Sequence, residues 1–228
     1  MRIGGIIPSS LVDWDGKIVC TLFTIGCNFR CWYCHNPSLV LGNAGEISEE
    51  KVFLMLNDLK GWIDGVCVTG GEPTIHGDIV EFLTKIKELG YKIKVDTNGS
   101  HPEVLENILQ EELADYIAMD IKAPMERYEE VVGVKVDTAR IEKSISLIME
   151  SGVDYEFRTT MIPELDVEDY IAIAKMIEGA KRYSLQFFRM ERGVLNPKKI
   201  PAKIMMDESK AREIKRRIEE IVGEVRVK

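Results

Sequence analysis

The sequence has no excess of basic charge: 30 Lys and Arg stand against 38 Asp and Glu in 228 residues, a formal charge of −8. That sign argues against a protein that works by coating nucleic acid or an anionic membrane, so neither is expected as a partner. No run of about 18 apolar residues occurs, so no membrane-spanning helix is predicted. The opening MRIGGIIPSS also lacks the long apolar stretch of an export signal, and a cytoplasmic location is expected. Cysteine is sparse and uneven: Cys20 and Cys67 stand alone, while Cys27, Cys31 and Cys34 crowd together. This spacing excludes a disulfide framework and directs the three clustered thiols toward a metal. Low-complexity tracts, internal repeats and breaks in composition are absent too, so a single domain is expected over 1–228.

What is present is an α/β rhythm. Runs rich in β-branched and aromatic residues predict strands at 18–25, 66–69, 93–96, 116–121, 155–161 and 183–188. Ser48 with Glu49 and Glu50 reads as a helix start, followed by a buried face of Val52, Met55, Leu56 and Leu59. Ile79, Phe82, Leu83 and Ile86 form a second such face, which Gly90 is placed to end. Further helices are expected from near Pro102, Asp137 and Asp166, and a last one carries Ile214, Ile218 and Ile221. Six strand–helix units imply parallel βαβ connections. They fall short of a full eight-unit barrel, so a partial (β/α)6 barrel is favoured over a flat doubly wound sheet, which pattern alone leaves open. Residues 1–17 form a polar leader expected to pack on a core barrel of 18–190, and 191–228 an extension with a helix.

The sharpest signal is the C-x3-C-x2-C spacing of Cys27, Cys31 and Cys34 just past the first predicted strand. Three thiolates can hold three irons of a 4Fe-4S cluster and leave the fourth iron open to a small ligand. A structural zinc site is the alternative. It would need His35 as fourth ligand, and the adjacency of Cys34 and His35 disfavours it. The lone Cys20 and Cys67 read as small core hydrophobes.

The segment GCNFRCWYCHNP (26–37) resembles the cluster motif of the radical S-adenosylmethionine enzymes, and its Cys-His-Asn ending resembles that of activating enzymes for glycyl-radical proteins. The leader SSLVDWDGK (9–17) is similar to that of the small activating proteins of anaerobic ribonucleoside-triphosphate reductase, with Trp14-Asp15 where Tyr-Pro is expected. This resemblance implies a radical barrel fold, a 4Fe-4S cluster on Cys27, Cys31 and Cys34, and S-adenosylmethionine as cofactor.

Other strand ends carry weaker text. Gly70-Gly71-Glu72-Pro73 is by itself a turn, whose glycines allow close backbone approach and whose carboxylate can accept from an ammonium group. By the resemblance, it holds the amino group of S-adenosylmethionine. Asp96-Thr97-Asn98-Gly99 and Asp120-Ile121-Lys122 end the next two strands. The resemblance makes Asp96, Thr97 and Asp120 candidates for a monovalent cation or the ribose, sets Asn98 beside the cofactor, and makes Lys122 a partner of anionic groups. Arg158 is a charge inside a buried strand pattern, read equally as a core ion pair or a contact to the cofactor. Tyr33 is expected beside the adenine, Trp32 and Phe29 to pack the cluster loop, and Gln186 to face the barrel mouth. All these groups fall near strand C-termini, the rim where parallel barrels bind ligands.

The resemblance thus implies reductive cleavage of S-adenosylmethionine to a 5′-deoxyadenosyl radical, directed at a glycine Cα–H of a partner, anaerobic ribonucleoside-triphosphate reductase. With no second Cys-rich segment for a further cluster, an external reductant such as flavodoxin or ferredoxin is implied. Two alternatives stay open: a radical enzyme acting on a small molecule such as a modified-base or cofactor precursor, and a non-enzymatic zinc module.

Overall fold

The computed structural model describes residues 1–189, 193–200 and 208–228. The expected boundary between core and extension at 190–191 lies outside the described residues. One eight-stranded sheet runs in chain order: β1 Ile3–Ser10, β2 Val19–Thr24, β3 Gly65–Gly70, β4 Lys92–Thr97, β5 Tyr116–Asp120, β6 Asp154–Met161, β7 Arg182–Phe187 and β8 Glu224–Val227. β1 is antiparallel to β2, and every later neighbour pair is parallel. The connecting helices are α1 Pro37–Val40, α2 Glu49–Asp58, α3 Ile79–Glu88, α4 Pro102–Gln110, α5 Tyr128–Val132, α6 Thr138–Glu150, α7 Val167–Met176 and α8 Glu208–Ile218. No helix among the described residues is long and apolar enough to cross a membrane.

β2 to β7 are the six strands expected from the sequence, each within a residue or two of its predicted bounds. The helix faces follow in part: Val52 and Leu56 of α2 are buried while Met55 is half-buried and Leu59 lies past its end, and Ile214 and Ile218 of α8 are buried while Ile221 lies past its end. Ile79, Phe82, Leu83 and Ile86 of α3 are all buried, and Ser48 accepts from the Lys51 N–H at the start of α2. The two outer strands extend the expected six-stranded barrel. The leader was expected to pack on the barrel, and instead its first half is the sheet's edge strand. Gly4, Gly5 and Pro8 make it a poor strand by propensity. A Cβ at Gly4 would sit 2.7 Å from side-chain atoms of both Ile25 and Leu39, so the absent side chain is what lets this edge lie down. β8 is four residues long and carries Glu224 and Arg226, too short and too charged to read as a strand.

The loop between β1 and β2 forms the floor of the barrel at the strands' N-terminal ends. Trp14 is buried against Tyr116 with ring centroids 5.7 Å apart, in a small apolar cluster with Val19, Cys67 and Ala118. Asp13 accepts from the Thr21 hydroxyl at 2.6 Å, and Asp15 pairs with Arg226 and Lys228 at the far edge of the sheet. Directly above this floor is a polar cavity of about 470 Å³, and Gln186 lines it rather than the mouth.

Candidate functional site

At the opposite rim, β2 ends and the chain turns through Gly26 into the cysteine loop. Local hydrogen bonds fix that loop. Arg30 N–H donates to the Val132 carbonyl at 2.8 Å, and the Arg30 guanidinium donates to the carbonyls of Cys27 and Phe29. The carbonyls of Trp32 and Cys34 accept from the N–H groups of Asn196 and Leu195. Phe29 and Trp32 are buried, edge-on to Tyr128 and Phe188 respectively, which is the packing expected of them.

The turn after β3 is locked to this loop. Gly71 N–H donates to the Thr24 carbonyl and Glu72 N–H to that of Gly26. A Cβ at Gly71 would lie 1.8 Å from the Gly26 oxygen, and one at Gly70, whose φ is +115°, would lie 2.3 Å from the Thr24 nitrogen. The glycines are therefore needed for backbone to meet backbone. Glu72 is 1% exposed, and its carboxylate ties two turns together. One oxygen accepts from the Thr74 N–H and hydroxyl and from the Thr97 hydroxyl at 2.7 Å. The other accepts from Asn98 N–H at 2.6 Å. Burial raises its pKa, and these hydrogen bonds only partly offset the rise.

Inside the barrel, alternation along the strands turns every second side chain inward. Asp96 on β4, Asp120 on β5 and Arg158 on β6 meet there, Arg158 being the direct register partner of Asp120. Arg158 Nε lies 2.7 Å from Asp120 and Nη1 3.0 Å from Asp96, while Lys122 Nζ lies 2.9 Å from Asp120. Burial alone would raise both carboxylates, but Arg158, with Lys122 at Asp120, outweighs it and holds them below the usual range. Burial would likewise lower Lys122, and Asp120 keeps it above the ordinary lysine value.

A cavity of about 210 Å³ opens at this rim. Its walls bring together Cys27, Cys31, Cys34, Tyr33, Gly70, Gly71, Glu72, Asp96, Thr97, Asn98, Asp120, Lys122 and Arg158. Of the sequence-derived candidates, Pro73, buried in the short turn after Glu72, and Gln186, in the lower cavity, are outside it. Sequence reasoning missed His35, Asn36, Val40, Thr69 and Thr160 as lining residues. Two of them had a readable signal: Thr160 is two places beyond Arg158 and so faces the same way, and Thr69 directly precedes Gly70. His35 stacks on Phe188 and pairs through Nδ1 with the Gly193 carbonyl at 2.9 Å. The Tyr33 hydroxyl is buried beside the Cys31 thiol.

The donor chemistry fits a polynuclear cluster. Among the described residues no three His, Cys, Asp or Glu side chains gather around one point as a single zinc ion requires. The three thiols instead share a cavity wall. Burial pushes Cys27 up to about 12 and Cys31 up to about 11, so both keep their protons at neutral pH until a metal's charge displaces them. Cys20 and Cys67 are buried in β2 and β3, away from that wall.

Comparison with known proteins agrees with this arrangement. Residues 21–177 match the sequence profile of the Radical SAM superfamily. A protein of Methanocaldococcus jannaschii, provisionally named glycyl-radical enzyme activating enzyme, is 35% identical over 192 residues, covering 82% of this chain and 79% of that one. The pyruvate formate-lyase-activating enzyme of Listeria monocytogenes is 34% identical over 132 residues, 53% of each chain. Among solved structures, Streptococcus suis SuiB bound to its precursor peptide SuiA matches with a TM-score of 0.72 at 18% identity, over 92% of this chain and 48% of that chain. At that identity the likeness concerns the fold.

Proposed function

The chain belongs to the radical SAM superfamily, and from that premise we propose that it activates a glycyl-radical enzyme. The observation that carries the reading is the single rim cavity in which the three cysteines face the Asp96, Asp120, Lys122 and Arg158 cluster. Cys27, Cys31 and Cys34 would hold the 4Fe-4S cluster. The Gly70-Gly71 backbone and Glu72 would receive the ammonium of S-adenosylmethionine, Lys122 and Arg158 its carboxylate, Asp120, Thr97 and Asn98 the ribose side, and Tyr33 the adenine. When bound, the cluster and S-adenosylmethionine supply one-electron cleavage of the sulfonium and, through it, hydrogen abstraction from carbon.

The protein's own contribution is placement. The Gly26–Gly71 contact fixes the distance between the cysteine loop and the amino-group loop, and buried ion pairs set the charge of the rim cavity without a mobile acid or base. The intended target is a glycine Cα–H of a partner protein in the cytoplasm. We take the partner to be anaerobic ribonucleoside-triphosphate reductase and the electron donor to be flavodoxin or ferredoxin. The leader similarity supports that choice, although the leader itself forms the barrel floor. The monovalent cation implied by the resemblance is left out of this reading, because Arg158 and Lys122 already pair with Asp96 and Asp120, two of its candidate ligands.

The test is 5′-deoxyadenosine formation by anaerobically reconstituted protein with dithionite, beside a Cys34→Ala variant. Product from the wild type alone is expected. A glycyl-radical signal should then appear on the reductase of the same organism, and product without that signal on any glycyl-radical protein would overturn the partner while leaving the chemistry.

A further inference from the structure

The candidate cation ligands are already committed. Asp96 offers one oxygen to Arg158 and the other, at 3.0 Å, to Lys94 Nζ. Asp120 offers its two oxygens to Arg158 and Lys122. The Thr97 hydroxyl donates to Glu72 and accepts from the Gly99 N–H. An inorganic cation placed here would meet three positive side chains, and the one carboxylate oxygen without a hydrogen bond, Asp96 Oδ1, already faces Lys94 Nζ.

Lys94 is the unexpected member of this set. It lies two residues before Asp96 on β4, so both side chains enter the barrel, and its side chain is 3% exposed. A buried ammonium needs its donors satisfied. Lys94 has Asp96, the Asp13 carbonyl at 2.5 Å, and the Tyr116 ring face with its centroid at 5.8 Å. Burial would lower its pKa, but Asp96 outweighs that and keeps it charged. The result is an alternating row of Lys94, Asp96, Arg158, Asp120 and Lys122, three cations against two carboxylates.

We propose that Lys94 is a resident counter-ion that stands in for a free alkali cation, so that this site binds S-adenosylmethionine without sodium or potassium. The proposal rests on the reading of the rim cavity as an S-adenosylmethionine site. Lys94 acts through Asp96 and is a positioning residue.

Equilibrium binding of S-adenosylmethionine to the reconstituted protein is measured with tetramethylammonium as the sole cation, then with potassium or sodium. The wild type should bind equally in all three, within about twofold, or under 0.5 kcal/mol. Lys94→Met should lose about tenfold or more in tetramethylammonium and recover in potassium or sodium, a rescue that a merely structural lysine would not show. Lys94→Arg should behave as wild type. A wild-type affinity that drops about tenfold when alkali cations are withheld overturns the proposal, and this arm needs no variant to fold. So does a Lys94→Met variant that binds normally in tetramethylammonium. If no salt supports binding, the reading of the cavity has failed, and thermal denaturation of the metal-free proteins decides the lysine's role. A potassium- or sodium-specific rise in Tm for Lys94→Met alone sustains it, and equal responses of variant and wild type refute it.

Discussion

Asp120 is shared by two cations, Arg158 and Lys122, and Asp96 by Arg158 and Lys94. Both carboxylates therefore titrate below their unfolded value of about 3.9. A depressed carboxylate stabilises the fold above its unfolded pKa and loses that contribution as pH falls through its folded value. Lys94 and Lys122 are raised, so their share is complete below about 10.4 and is lost as pH rises through their folded values. Urea unfolding across pH should thus show stability falling below about pH 4. Asp120→Asn should be less stable at neutral pH and show a shallower acid limb, and an unchanged limb would mean that the pairing carries no net stability. At this scale the sequence was informative. Arg158 stood out as a charge in a buried pattern, and both readings given to it bear on one side chain that is ion-paired and also lines the cavity. Lys94 escaped notice because lysine in a strand of alternating character passes for a solvated residue. Only closure of the sheet around the floor loop shows that it points inward.

Among the elements, α7 has the most complete start. Asp166 accepts from the N–H groups of Glu168 and Asp169, and Asp169 accepts in return from the Asp166 N–H. Asp166→Ala removes half of that reciprocal box, and a loss of about 1 kcal/mol is expected by urea denaturation. β2, β3 and β5 were legible because burial on both faces leaves near-continuous apolar runs bounded by turns, and β4, β6 and β7 because β-branched and aromatic residues alternate with polar ones. The edge strands were not. β1 depends on glycines that fit beneath Ile25 and Leu39, and β8 on register with β7; both are conditions that appear only once the neighbours exist. The same holds for Gly70 and Gly71. Their text suggested room for a ligand, whereas the tightest approach is to the backbone of Thr24 and Gly26.

In the whole molecule, the floor loop closes one end of the barrel while the other end is left for the rim cavity. Arg158 lines both the lower cavity and the rim cavity and so divides them. Trp14 is the anchor of that floor. Trp14→Ala should cost about 3 kcal/mol, as for other buried aromatic truncations, and a loss under about 1 kcal/mol would show the loop to be a dispensable flap. The floor also joins distant parts of the sequence, since the Asp15 and Lys228 that meet in it are 213 positions apart. At the usual ~5–20 residues per second of synthesis, Asp15 leaves the ribosome's active centre on the order of ten to forty seconds before Lys228 is made. Between the synthesis of Arg158 and that of Arg226, the floor loop has Thr21 and Tyr116 to hold Asp13 and Trp14 but neither Arg226 nor Lys228 for Asp15. The floor is completed late, when translation of Arg226 and Lys228 supplies the partners that Asp15 has been waiting for.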